Sequence, residues 1–101
     1  MTIHATDAFA FGSGTVSTTA LTLADLSGIT IENVEAAGRA RITVSTDAIR
    51  YRYDGQDPTA AVGHYLPVNG QIELVGGVNI NNFKAIRVTL DAELSVTLEA
   101  F

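Results

Sequence analysis

Six Lys and Arg side chains are the most concentrated chemistry in this chain, and they fall in two places. Arg39, Arg41, Arg50 and Arg52 flank one turn, and Lys84 and Arg87 lie near the end. A stripe of Arg41, Arg50 and Arg52 on one strand face could meet an acidic patch on a partner protein. The same arginines could instead be neutralised within the chain by Glu73, Glu93 or Glu99 as a solvated network. Asp54 and Asp57, three residues apart beside Gly55, raise calcium, but neither a DxDxDG loop nor a downstream bidentate Glu accompanies them. They read instead as turn residues: Asp54, Gly55, Asp57, Pro58 and Thr59 form a structural corner, with each Asp bonding its own backbone.

The histidines are His4 and His64. A Ser-His-Asp set can be assembled on paper, yet no nucleophile elbow surrounds any serine. Gly12-Ser13-Gly14 and Gly76-Gly77 lead into no expected helix, so no phosphate-cradling loop is formed. Sugar binding calls for a flat aromatic platform. The chain has no Trp, and strand parity turns Tyr51 and Tyr53 inward, leaving Tyr65. No catalytic, cofactor-binding or metal-binding residues are expected, and the chain is not expected to be an enzyme.

Strands must position these groups. Ile49, Tyr51 and Tyr53 alternate with Arg50 and Arg52, the period of a half-buried strand. With a turn at Thr46-Asp47, the segments around it pair as a hairpin: Val44 faces Ile49, Ile42 faces Tyr51, and Arg41 faces Arg52. With a loop at residues 91–93, Val88 meets Val96 and Ile86 meets Leu98, which requires a bulge near Ala85-Ile86 because Phe83 and Ala85 are off that parity. Ile29 and Ile31 suggest a short strand, residues 33–38 read as a loop too short for a stable helix, and residues 78–82 as a polar connection whose Asn side chains can cap backbone groups. Seven or eight short strands with turns at roughly ten-residue intervals predict an all-β antiparallel β-sandwich, Ig-like or jelly-roll-like. Its expected core is Ile42, Val44, Ile49, Tyr51, Ile72, Leu74, Ile86, Val88, Leu94, Val96 and Leu98.

With 101 residues, 47 % of them hydrophobic and 17 % charged, the chain suits one globular domain. Residues 15–101 are expected to form it. Residues 1–14, ending in the glycine-rich joint, are read as an N-terminal arm or edge strand whose Phe9 and Phe11 could dock on a neighbour. A net charge of −5 disfavours nucleic-acid partners. No apolar run reaches membrane-spanning length. The absence of cysteine excludes disulfides and leans towards cytoplasmic synthesis, and the N-terminus has no signal-peptide pattern.

The run Ile49–Thr59 (IRYRYDGQDPT), followed by Gly63–Leu66 (GHYL) and Phe83–Arg87 (FKAIR), resembles small β-rich proteins encoded among the structural genes of tailed bacteriophages. In those proteins a VRYR-type strand, a DG-x-x-PT turn, a V-G-H/M-x-L segment, a polar strand and an F-x-A-I-R strand follow in this order. The likeness spans about residues 38–100. It implies a virion protein made in the host cytoplasm, foremost a head-decoration or capsid-stabilising protein, or else a neck, tail or baseplate component. The implied partners are the major capsid protein or other virion proteins, with a homo-oligomer expected and no cofactor. A second resemblance, to chitobiase C-terminal immunoglobulin-like modules, covers Ile49–Thr59 and implies a glycan- or host-recognition module.

Overall fold

The computed structural model describes residues 7–100. His4 and residues 1–6 of the expected arm therefore lie outside the described residues. Among the described residues the chain forms eight strands in two four-stranded sheets, an all-β sandwich. The strands are β1 (Ala8–Val16), β2 (Leu21–Thr22), β3 (Arg39–Ser45), β4 (Ile49–Arg52), β5 (His64–Leu66), β6 (Gln71–Val75), β7 (Lys84–Arg87) and β8 (Ala92–Glu99). Two short helices, α1 (Ile31–Ala36) and α2 (Gly77–Asn82), fill connections. No described helix is long and apolar enough to cross a membrane.

One sheet has the order β1-β8-β3-β6 and the other β2-β7-β4-β5. The pairs β1/β8, β2/β7, β3/β6 and β4/β5 are each antiparallel. The chain is thus one long hairpin whose tip is the β4–β5 connection, wrapped so that successive pairs fall in alternating sheets. That is the jelly roll, one of the two architectures expected from the sequence.

Wrapping overturns both long-range hairpins read from the sequence. β3 and β4 lie in different sheets: Arg41 sits opposite Glu73 and Thr97, and Arg52 sits opposite Lys84. β7 and β8 are likewise separated, with Ile42 rather than Ile86 or Val88 beside Val96. Each expected pairing matched apolar residues correctly, but two strands with the same parity can as readily face each other across the core.

β8 anchors the arrangement. It is paired on both sides, and its alternate residues Ala92, Leu94, Val96 and Leu98 are completely buried. Ile42, Val44 and Ile49 bury with them, as does Leu74, while Tyr51 and Ile72 pack at the margin. On β7 the inward residue is Ala85, continuing from buried Phe83, whereas Ile86 and Val88 are half-exposed. The parity is the reverse of the expected one, and no bulge interrupts the β4–β7 pairing.

Helices replace two expected connections and one expected strand. Thr30 caps α1: its hydroxyl accepts from the Asn33 amide at 3.1 Å, and Asn33 Oδ1 accepts from the Thr30 amide at 3.0 Å. Ile31 therefore begins a helix rather than extending a strand, and Val34 turns into the core. In α2, Ile80 plays the same part. Leu23–Asp25 forms a single 3-10 turn.

The Gly12-Ser13-Gly14 joint is in fact the middle of β1. Ser13 exchanges backbone hydrogen bonds with Ser27 at 3.1 and 3.0 Å, bringing residues 27–29 against the strand. A Cβ on Gly12 would lie 2.6 Å from Ile29 Cγ1 and 2.8 Å from the Ser27 carbonyl oxygen. This glycine permits a close approach of two chain segments. Gly12→Ala is expected to destabilise the fold by about 1–3 kcal/mol, the usual scale of overpacking. Urea denaturation checks this, and an unchanged midpoint would mean that residues 27–29 do not pack there.

Candidate functional site

The arginines read as one stripe belong to two surfaces. Arg39 and Arg41 project from the outer face of the β1-β8-β3-β6 sheet. There Arg41 Nε donates to Glu99 Oε2 at 2.7 Å, and its Nη2 lies 3.2 Å from Glu73 Oε2. Arg39 approaches the same two carboxylates at 3.7 Å each. Glu99 is only 8 % exposed, so this carboxylate depends on its cationic neighbours. The hydrogen bond from Arg41 to Glu99, with the charge of Glu99 and Glu73, raises the Arg41 pKa. Glu73 and Glu99 are two of the three acids expected from the sequence. Glu93 instead accepts from the Thr15 hydroxyl at 2.6 Å.

Arg50 and Arg52 lie on the outer face of the other sheet. Arg52 is directly opposite Lys84, so two cations meet across a strand pair. The corner after β4 supplies the compensation. Asp54 accepts from Arg52 through both oxygens, at 3.0 and 2.5 Å, and Asp57 accepts from Lys84 Nζ at 2.9 Å. Asp54 Oδ1 also accepts from the Gln56 amide at 3.2 Å, the expected turn bond. Asp57 departs from expectation in reaching Lys84 across the loop rather than bonding its own backbone. Gly55 takes a positive φ of 86° within the corner, and Pro58 is buried beneath it. Thr59 ties the second half: its amide donates to the Val62 carbonyl at 2.9 Å, and its hydroxyl accepts from the Val62 amide at 3.0 Å.

Arg50 is cross-strand to Tyr65, and its guanidinium sits 5.1 Å from that ring's centroid. It also donates to the carbonyls of Ala60 and Gly63 at 3.4 and 3.3 Å. Tyr65, the expected free aromatic, therefore has a cation against its ring.

The opposite face of β4 and β5 carries an aromatic group that parity reasoning concealed. Tyr51, Tyr53 and His64 do fall on the core-facing side, but β4 runs to the end of the sandwich, and Tyr53 is 39 % exposed. The Tyr51 ring packs 5.7 Å from buried Phe83. The His64 ring lies 5.2 Å from Tyr51 and 5.7 Å from Tyr53, and Tyr51 lies 6.4 Å from Tyr53. Burial and the neighbouring Tyr53 raise the Tyr51 pKa. Arg52, Tyr53, Asp54 and His64 line a shallow cleft of about 260 Å³. The sequence signals were present as alternating Tyr51 and Tyr53, but the end of the opposing sheet could not be read from them.

On the far side of the molecule, Phe9 and Phe11 lie on edge strand β1 and are 40 % and 60 % exposed. The β1–β8 register shifts between Ala8 and Ala10, making Phe9 the extra residue of a bulge. Among the described residues no three His, Cys, Asp or Glu side chains converge as metal ligands would. Comparison with family models, curated proteins and solved structures finds no match.

Two outcomes follow from the ion pairs. Arg52 hydrogen bonding holds the Asp54 pKa down at about 2. A lowered carboxylate pKa contributes stability above the unfolded value near 4, and that contribution is lost as pH falls through the folded value. The Tm advantage of wild type over Asp54→Asn should therefore be present at neutral pH and close between about pH 4 and pH 2. Thermal melts across that range check it, and an advantage that persists at the acid end contradicts the pairing. On the other sheet, Arg41→Met should lower the denaturation midpoint by removing the donor that sits 2.7 Å from the nearly buried Glu99. Chemical denaturation would contradict this with a change near zero.

Proposed function

We propose that this chain is a structural component of a tailed-bacteriophage virion, a head-decoration or capsid-stabilising protein acting by binding alone. One observation carries the reading. Of the segments in the resemblance, Ile49–Arg52, His64–Leu66 and Lys84–Arg87 are three adjacent strands in the order β5-β4-β7 with Asp54–Thr59 as the corner at their end, while the polar strand Gln71–Val75 lies in the other sheet. Segments separated in sequence thus share one hydrogen-bonded unit, as expected if the motif order reflects a common fold. Jelly rolls recur in viral capsid proteins, which supports the reading by analogy of fold.

The surface best suited to a virion partner is the β1 edge. Phe9 and Phe11 place two large exposed apolar rings on an edge strand, a combination that favours apolar docking. Many copies on a symmetric shell would reinforce a modest contact at each site. The major capsid protein is the proposed partner, with homo-oligomer contacts supplementing it. Arg41 is committed to Glu73 and Glu99, and Arg52 to Asp54, so these arginines contribute less to the proposed contact than the phenylalanines do.

Quantitative mass spectrometry of purified virions tests the reading. A copy number equal to that of the major capsid protein, or a simple fraction of it, is expected. A very low ratio would contradict decoration in favour of a neck, tail or baseplate position, and absence would overturn the virion role. Phe11→Ser should lower retention on capsids while leaving the Tm of the free protein within a few degrees of wild type. Full retention would exclude the β1 edge.

A further inference from the structure

We propose that the cleft at the open end of the sandwich binds a neutral saccharide, with one pyranose ring against Tyr53 and His64 and its hydroxyls on the Arg52–Asp54 pair. This site is separate from the β1 edge. The Tyr53 and His64 ring planes, both lining the cleft, differ by 19° with centroids 5.7 Å apart, and Tyr51, tilted 36° from His64, lies beside them. Tyr51 is held by buried Phe83, which fixes the base of the group. The C–H face of a pyranose is apolar and suits such rings, while its equatorial hydroxyls need partners around the rim.

The rim has them. Arg52 uses Nε and one Nη2 hydrogen on Asp54, leaving its remaining N–H groups to donate. Asp54 stays ionised at neutral pH and, after accepting twice from Arg52 and once from Gln56, keeps one acceptor position on Oδ2. A vicinal diol both donates and accepts, so it matches this pair. An anionic ligand matches poorly: the charge of Arg52 is compensated by Asp54, that of Lys84 by Asp57, and the chain carries −5 overall. Nucleotides could stack on the rings, but their phosphates would meet this unfavourable field.

Size and rigidity agree. At about 260 Å³ the cleft lies just below the roughly 300–1,000 Å³ typical of pockets for drug-sized ligands, which suits one ring with the rest of a glycan in solvent. The corner beside it is braced by the reciprocal Thr59–Val62 backbone bonds at 2.9 and 3.2 Å and by Arg50 on the Gly63 carbonyl. Little ordering is left to oppose binding.

Titration of the full chain, followed by amide NMR, tests the proposal with methyl glycosides of glucose, galactose, mannose and N-acetylglucosamine. AMP and inorganic phosphate serve as anionic comparisons. At least one glycoside should shift the Tyr53, Asp54 and His64 amides saturably, with a Kd on the order of millimolar. Tyr53→Ala should weaken that response roughly tenfold, and Tyr65→Ala, at the stacked tyrosine on the other face, should leave it within about twofold. No response to any glycoside at these amides would overturn the proposal, as would a Tyr53→Ala titration equal to wild type. A stronger response there to AMP or phosphate would also overturn it, in favour of an anion site.

Discussion

The double pairing of β8 is the constraint on which the rest of the molecule depends. Its backbone is bonded to β1 on one side and β3 on the other, and its inward side chains are removed from water. An extended strand with both edges occupied and one face apolar has a single stable setting: a sheet partner on each side and a second sheet over its face. The second sheet is supplied by β7 and β4, whose Ala85 and Ile49 are fully buried. Because the strands that precede and follow each other in sequence must serve opposite sheets, the chain is obliged to wrap. Among the described residues, β4 and β5 are the sole consecutive strands bonded to one another.

That obligation concentrates unusual chemistry at the tip. The β4–β5 connection turns within one sheet, and β7 comes alongside, so Arg52 and Lys84 are forced into register. Asp54 and Asp57 relieve the repulsion from within the same loop. The corner, which looks in the sequence like turn chemistry alone, is also the electrostatic closure of the sheet. The same geometry leaves Tyr53 beyond the cover of the opposing sheet and beside an ionised acid–base pair. A packing solution thereby creates a polar and aromatic cleft.

Strand identity and fold class were legible because alternation in Arg39–Ser45, Ile49–Arg52 and Ala92–Glu99 is sharp and local. Pairing was not, since alternation specifies a face without specifying whether the matching face lies beside it or across the core. Lys84–Arg87 was ambiguous even in parity: Phe83 and Ala85 compete with Ile86 and Val88, and only the position of the sheet decides. Residues 33–38 read as a loop because six residues alone do not make a stable helix; the reciprocal Thr30–Asn33 cap and burial of Val34 supply what local propensity lacks. For the surface, the acids beside Arg41 could be anticipated. The separation of Arg41 from Arg50 and Arg52 could not, because it follows from the wrapping.

The most direct test of this account is the pattern of cross-strand backbone NOEs in the folded chain. The wrapped order places Thr43 beside Ser95 and Arg50 beside Ile86, and NOEs between those pairs are expected. NOEs joining Ile42 to Tyr51 and Val88 to Val96 would instead mean sequential hairpins. That result would remove both the electrostatic closure at the tip and the cleft that depends on it.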